Sequence, residues 1–210
     1  MSKITLPHKT PAQAVNEALE HIKAERSGEQ YGLYTRYHSL NVAQGKYFRF
    51  NNVNLFAGLS GHGKSYLINI FTNDFQDYKG GINDNIDFIP IVFNFCFEMS
   101  AYNEILRSVA SDMGVSYSYL LSSQYNKEDG SYNRLSDEEL VRVKQYLEFY
   151  KSRSIIFFET PGNVKLIYNT VEKYVEYYTK LGQQKGITYR FIINIDHTRG
   201  ISSRFQLLSP

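Results

Sequence analysis

Gly58-Leu59-Ser60-Gly61-His62-Gly63-Lys64-Ser65 fits the pattern G-x-x-x-x-G-K-[ST] at every specified position and follows the apolar run Val53-Asn54-Leu55-Phe56-Ala57. A loop of this composition cradles the phosphates of a nucleoside triphosphate. Its glycines let the backbone pass close to a phosphate with N–H groups turned inward, where side chains would block the approach. Lys64 adds a point charge for the β- and γ-phosphates, and Ser65 places a hydroxyl on Mg²⁺. The helix that follows turns its positive end to the anion. The candidate nucleotide-contacting residues are Gly58, Ser60, Gly61, His62, Gly63, Lys64, Ser65 and Tyr66. The competing reading is a glycine turn with no ligand, and the His62 side chain reads as incidental to the loop.

Outward from the loop, residues 53–57 are β-branched, aromatic and apolar, too short for a helix, and bounded by Asn51-Asn52 and Gly58. They read as a buried parallel strand. Leu67, Ile68, Ile70 and Phe71 beyond the loop are spaced as one helix face. Ile89-Pro90-Ile91-Val92-Phe93-Asn94-Phe95-Cys96-Phe97 is a second strand with its proline near the start, and Glu98 at its end. Ser100 can cap a helix running to about Met113. Ser136-Asp137-Glu138-Glu139 is a capping box opening another helix, with Leu140, Val143, Leu147 and Tyr150 on its face. Ile155-Ile156-Phe157-Phe158 is a third strand, followed by Glu159. A helix over 164–181, ended by Gly182, leads to a fourth, Phe191-Ile192-Ile193-Asn194-Ile195, closed by Asp196. Four strands alternating with helices predict an α/β fold with a parallel sheet.

Upstream, Thr10-Pro11 reads as an N-cap with proline at the first helical position, and Val15, Ala18, Leu19 and Ile22 share a face to about Arg26. Ser27-Gly28-Glu29-Gln30 follows as a linker. Two readings stay open: an arm reaching away from the main body, or a helix packed on its own domain. The expected organisation is an N-terminal arm over 1–30 and a main domain over 31–210.

With 210 residues and 42% apolar content, the chain has enough hydrophobic material for one sizeable core. No stretch approaches the ~20 apolar residues of a membrane span, and Met1-Ser2-Lys3-Ile4 lacks the apolar core of a secretory signal. The expectation is a soluble cytoplasmic protein without a membrane partner. Cys96, the single cysteine, excludes an intrachain disulfide and a cysteine-based zinc site. A net charge of +2 neither demands nor forbids a nucleic-acid partner. The 18 tyrosines and 14 phenylalanines include enough rings for base-stacking platforms, although most belong to core and rim.

Ligands of a parallel sheet sit at the carboxyl ends of its strands, so Glu98, Glu159 and Asp196 are the natural partners of the phosphate loop. One acid is needed for Mg²⁺ and another to orient or deprotonate the attacking water. For each acid the alternative is a helix cap or a solvated charge.

Residues 92–123, with Phe97-Glu98-Met99-Ser100-Ala101 and Leu106-Arg107-Ser108-Val109-Ala110-Ser111, resemble the segment after the second core strand of DnaB-type replicative DNA helicases. Tyr31-Gly32-Leu33-Tyr34-Thr35-Arg36-Tyr37-His38-Ser39-Leu40-Asn41 is similar to the lead-in of that family's ATPase domain, a threonine turn and a short helix, with fewer glycines. The resemblance implies a RecA-like phosphate-loop ATPase preceded by a linker helix over 11–26. It places the catalytic glutamate at Glu98, working with Lys64, and the Mg²⁺-associated aspartate at Asp196, working with Ser65. Glu159 falls on a less specific acidic turn. The implied ligands are ATP and Mg²⁺. The implied partners are single-stranded DNA, a hexameric ring joined through the N-terminal helix, and a primase or helicase loader, in the cytoplasm of a bacterial or phage-infected cell.

The family continues beyond the position of Pro210 with a sensor, an arginine finger and DNA-binding elements, and has an aromatic where this chain reads His197-Thr198-Arg199-Gly200. The fold is therefore expected to be incomplete at its C-terminal side and hydrolysis by this chain alone to be poor. The leading expectation is the ATPase core of a ring-forming helicase. Alternatives are a nucleotide-gated assembly or helicase-loader-like protein, and a phosphate-loop kinase, for which 122–135, with only Arg134, makes a poor lid.

Overall fold

The computed structural model describes residues 9–28, 30, 32–59 and 61–196. The chain divides into two compact units, Met1–Val53 and Asn54–Pro210. In the first unit, α1 (Pro11–Ser27) opens with a reciprocal cap. Thr10 accepts from the Gln13 N–H and the Gln13 side chain returns to the Thr10 backbone, while Gly28 ends the helix at φ 88°. The expected apolar face of α1 is present, and Val15, Leu19 and Ile22 are exposed on it. At the helix end, Glu25 accepts from the Tyr47 phenol and pairs with Lys46 and Arg49 at 3.5 and 3.4 Å. Two short antiparallel strands, β1 (Gly32–Leu33) and β2 (Phe48–Arg49), bracket α2 (His38–Ala43). Between them the Asn41 side chain accepts from the Thr35 N–H at 3.0 Å and donates to the Thr35 carbonyl at 2.7 Å, locking a buried threonine turn before the short helix.

The second unit is a parallel sheet covered by helices. Its elements are α3 (Lys64–Phe75), β3 (Phe88–Cys96), α4 (Ala101–Met113), α5 (Tyr117–Leu120), α6 (Asp137–Lys151), β4 (Ile155–Phe158), α7 (Val164–Lys185) and β5 (Thr188–Asp196). The strand order is β4-β3-β5, with Phe95 opposite Phe158 and Ile195, and Cys96 opposite Asp196. Pro90 sits before the β4 pairing begins at Val92, so its missing N–H falls where β3 has a single neighbour. Along β3, Ile91, Phe93 and Phe95 point to one face. There they meet Ile167, Val171, Tyr174 and Tyr178 of α7 and the inward residues of β4 and β5. A second cluster joins Val109 and Ala110 of α4, Leu120 of α5 and Val143 of α6.

Three expectations are corrected. Residues 53–57 form no strand, and Val53 is 98% and Leu55 85% exposed. The sheet of the described residues has three strands, not four, and offers this run no ladder; an apolar run becomes a strand only where an edge receives it. Gly182 does not end α7, which continues to Lys185 and stops at Gly186, φ 66°. Gly182 is a close-approach residue, since a Cβ there would lie 2.4 Å from the Ile187 carbonyl oxygen. Ser100 starts α4 without a side-chain bond to the helix backbone. Among the described residues no helix is long and apolar enough to cross a membrane.

Candidate nucleotide-binding site

The loop of residues 58–63 runs directly into α3. Gly61 and Gly63 have φ of 80° and 77°, left-handed values that side-chain-bearing residues rarely hold, and Gly63 is the N-cap of α3. Gly58 has no such need: a Cβ there would meet nothing closer than 3.7 Å. The Lys64 ammonium donates to the Gly58 and Leu59 carbonyls, both at 2.9 Å, and so closes the loop over its own backbone. Ser65 is half-buried in the first turn, and His62 is exposed. Tyr66 turns its hydroxyl to Ser111 of α4 at 3.0 Å. Ser60 lies outside the described residues, as do His197, Thr198, Arg199 and Gly200.

The helix runs antiparallel to the strands. At its C-terminal end Gln76 donates to the Pro90 carbonyl at 2.8 Å and accepts from the Ser154 N–H at 2.7 Å, at the starts of β3 and β4. Four residues back along the helix, Thr72 accepts from Asn194 of β5 at 2.7 Å. From that level a helix rise of about 1.5 Å per residue carries Ser65 about 10 Å onward, and a strand rise of about 3.3 Å carries Asp196 about 7 Å in the same direction. The start of α3 and Asp196 thus reach the same rim, the carboxyl ends of the strands.

Asp196 closes β5 and is buried, 5% exposed. Glu98 is exposed in the bend between β3 and α4. Glu159 has a structural role, because its Oε1 accepts from the Ala101 N–H at 2.6 Å, which caps α4 in place of the Ser100 side chain. Cys96 lies on the same rim. Burial, with Glu104, Asp196 and Glu159 nearby, pushes its thiol up to about 12, so it stays protonated and inert at neutral pH.

Sequence reasoning missed Glu104, 3% exposed on α4. Its Oε2 accepts from Asn69 Nδ2 of α3 at 2.9 Å. Burial holds its carboxyl above the usual carboxylate range, the Asn69 bond opposes this, and Asp196 adds to it. The signal was present as spacing: Asn69 and Asn73 on one helix, Glu104 and Ser108 on the next, each pair four apart.

These features fit a nucleotide with Mg²⁺. Left-handed glycines leave the loop backbone bare, and a hydroxyl and a buried carboxylate reach one rim. Among the described residues no group of three His, Cys, Asp or Glu forms a separate metal cage. That suits Mg²⁺, which is bound through one or two carboxylates plus phosphate oxygens.

No protein-family model and no curated protein matches the sequence. Among solved structures the chain is similar to the isolated ATPase domain of one DnaB-like replicative helicase, with a TM-score of 0.61 and 14% identity over 91% of this chain and 60% of that one. It is also similar to a second DnaB-like replicative helicase, whose structure addresses its interactions with primase, with a TM-score of 0.60 and 15% identity over 99% of this chain and 43% of that one. In both cases this chain spans less than two thirds of the other. Its fold is the RecA-like α/β fold of DnaB-like replicative helicase ATPase domains.

Proposed function

We propose that this chain binds ATP with Mg²⁺ at the start of α3 and serves as the ATPase core of a replicative DNA helicase. The observation that supports it most is the left-handed glycine loop capping α3 on the rim where Asp196 ends β5. In this reading the loop amides from Gly58 to Gly63, Ser60 and His62 included, surround the phosphates. Lys64 leaves its loop carbonyls for the β- and γ-phosphates, and Tyr66 lies beside the nucleotide. Ser65 and Asp196 hold Mg²⁺, which bridges and neutralises phosphate oxygens. Glu98 takes the proton of the attacking water, and its exposure leaves it reachable by that water. Glu159, engaged in capping α4, is the weaker candidate for the metal.

The arm over 1–30 supplies self-association through α1, whose exposed Val15, Leu19 and Ile22 offer an apolar stripe to a neighbouring subunit in a hexameric ring. Turnover then moves single-stranded DNA by the differential affinity of the nucleotide states, with primase or a helicase loader as further partners and the cytoplasm as the location. The same stripe supports the second reading, a nucleotide-gated assembly or helicase-loader-like protein. The test is ATP binding and phosphate release by wild type, Lys64→Ala and Glu98→Gln. The expected result is loss of binding in Lys64→Ala, and in Glu98→Gln retained binding with hydrolysis lower by about 10²-fold or more. Binding without turnover in wild type supports the assembly reading, and unchanged binding in Lys64→Ala overturns both.

A further inference from the structure

The helix that starts at the phosphate loop and the helix that follows Glu98 are joined by a buried polar ladder. Asn69 Nδ2 donates to Glu104 Oε2 at 2.9 Å and to the Glu104 carbonyl at 3.3 Å. The Ser108 hydroxyl donates to Asn69 Oδ1 at 2.7 Å. Asn73 Nδ2 donates to Asn69 Oδ1 and to the Ser108 hydroxyl, both at 3.2 Å. The far end is cationic, for Arg153 Nη1 donates to Asn73 Oδ1 while its guanidinium lies 5.0 Å from the Tyr150 ring and 5.1 Å from the Phe149 ring. All of Asn69, Asn73, Glu104 and Ser108 are buried.

A buried carboxylate costs several kcal/mol of desolvation, and an apolar pair of similar volume would join two helices at less expense. What directional bonds add is a single register, because each donor and acceptor is met only when the helices sit in one relative position. Asn69 lies one turn beyond Ser65, so a shift at the start of α3 reaches it within the same rigid helix. Its bonds pass the shift to α4, whose first turn follows Glu98.

We infer that the Asn69–Glu104 ladder couples occupancy of the phosphate loop to the position of Glu98, which makes Asn69 and Glu104 positioning residues for hydrolysis. This rests on the ATP-binding reading. The test compares amide hydrogen exchange of the full chain, with and without ATP and Mg²⁺, in wild type and in Asn69→Leu/Glu104→Leu. That pair removes both polar partners together and leaves no buried group unmatched, so the fold is kept, as circular dichroism and melting will verify.

In wild type, exchange is expected to slow by about threefold or more both at 58–68 and at 97–108. In the double variant the slowing at 58–68 persists with unchanged ATP affinity, while that at 97–108 is lost, and hydrolysis falls through kcat rather than KM. Slowing at 97–108 that survives in the folded variant overturns the coupling alone. Failure of 58–68 to respond in wild type overturns the ATP reading and this inference together. If the double variant does not fold, Asn69→Asp, which keeps the shape but places two carboxylates together, must show the same loss at 97–108; an unchanged response there overturns the coupling.

Discussion

At the scale of single residues, the loop glycines are not equivalent. Gly63 caps α3 at φ 77°, where an alanine would hold a left-handed conformation at a cost of about 1–2 kcal/mol. Gly58 carries no positive φ and has room for a methyl group. Gly63→Ala should therefore lower the thermal midpoint by about 2–8 °C, and Gly58→Ala should leave it within about 1 °C, as differential scanning fluorimetry will show. The motif spelled three glycines alike; only backbone conformation separates the one that the fold requires from the one reserved for a ligand's approach. Glu159 makes the same point. Its place after a strand marked it as a candidate acid, and its bond to the Ala101 N–H shows a cap, a role fixed by a residue far away in sequence.

At the scale of elements, local signals were read well where they are local. The capping boxes of Thr10 with Gln13 and Ser136 with Glu139 formed as their spacing indicates, because cap and helix lie within four residues of each other. The four-residue strand Ile155–Phe158 matches the expected apolar run. Residues 53–57 failed because pairing is not local: the same β-branched composition needs an edge, and the described sheet supplies none. At Gly182 a glycine near a helix end suggested a stop, whereas the tight packing of α7 against the start of β5 is what requires it. Gly182→Ala should cost about 1–3 kcal/mol by overpacking against the Ile187 carbonyl, measured by urea denaturation. Stability equal to wild type would mean that the turn gives way freely.

At the scale of the whole molecule, the fold is legible from alternation alone and the assembly is not. Helix α1 exposes Val15, Leu19 and Ile22, an apolar stripe without a local reason in a solvated helix. If it serves a neighbouring subunit, Leu19→Asp should leave the melting of the monomer unchanged and abolish the ATP-dependent rise in mass seen by light scattering. A rise that persists in the variant would move the interface elsewhere. The candidate site divides in a similar way. Lys64, Ser65 and the glycines declared themselves by spacing, while the shared rim of Ser65 and Asp196 depends on α3 running antiparallel to β5.

The sequence by itself determined the phosphate loop, the order of strands and helices, and the helix caps, since each is written within a few residues by backbone sterics and local hydrogen bonding. Only the tertiary structure decided which strands pair, which acid is a cap, and that Glu104 is buried against the helix of the phosphate loop. Those outcomes depend on desolvation and on hydrogen bonds between residues distant in the chain, and no short window of sequence carries them.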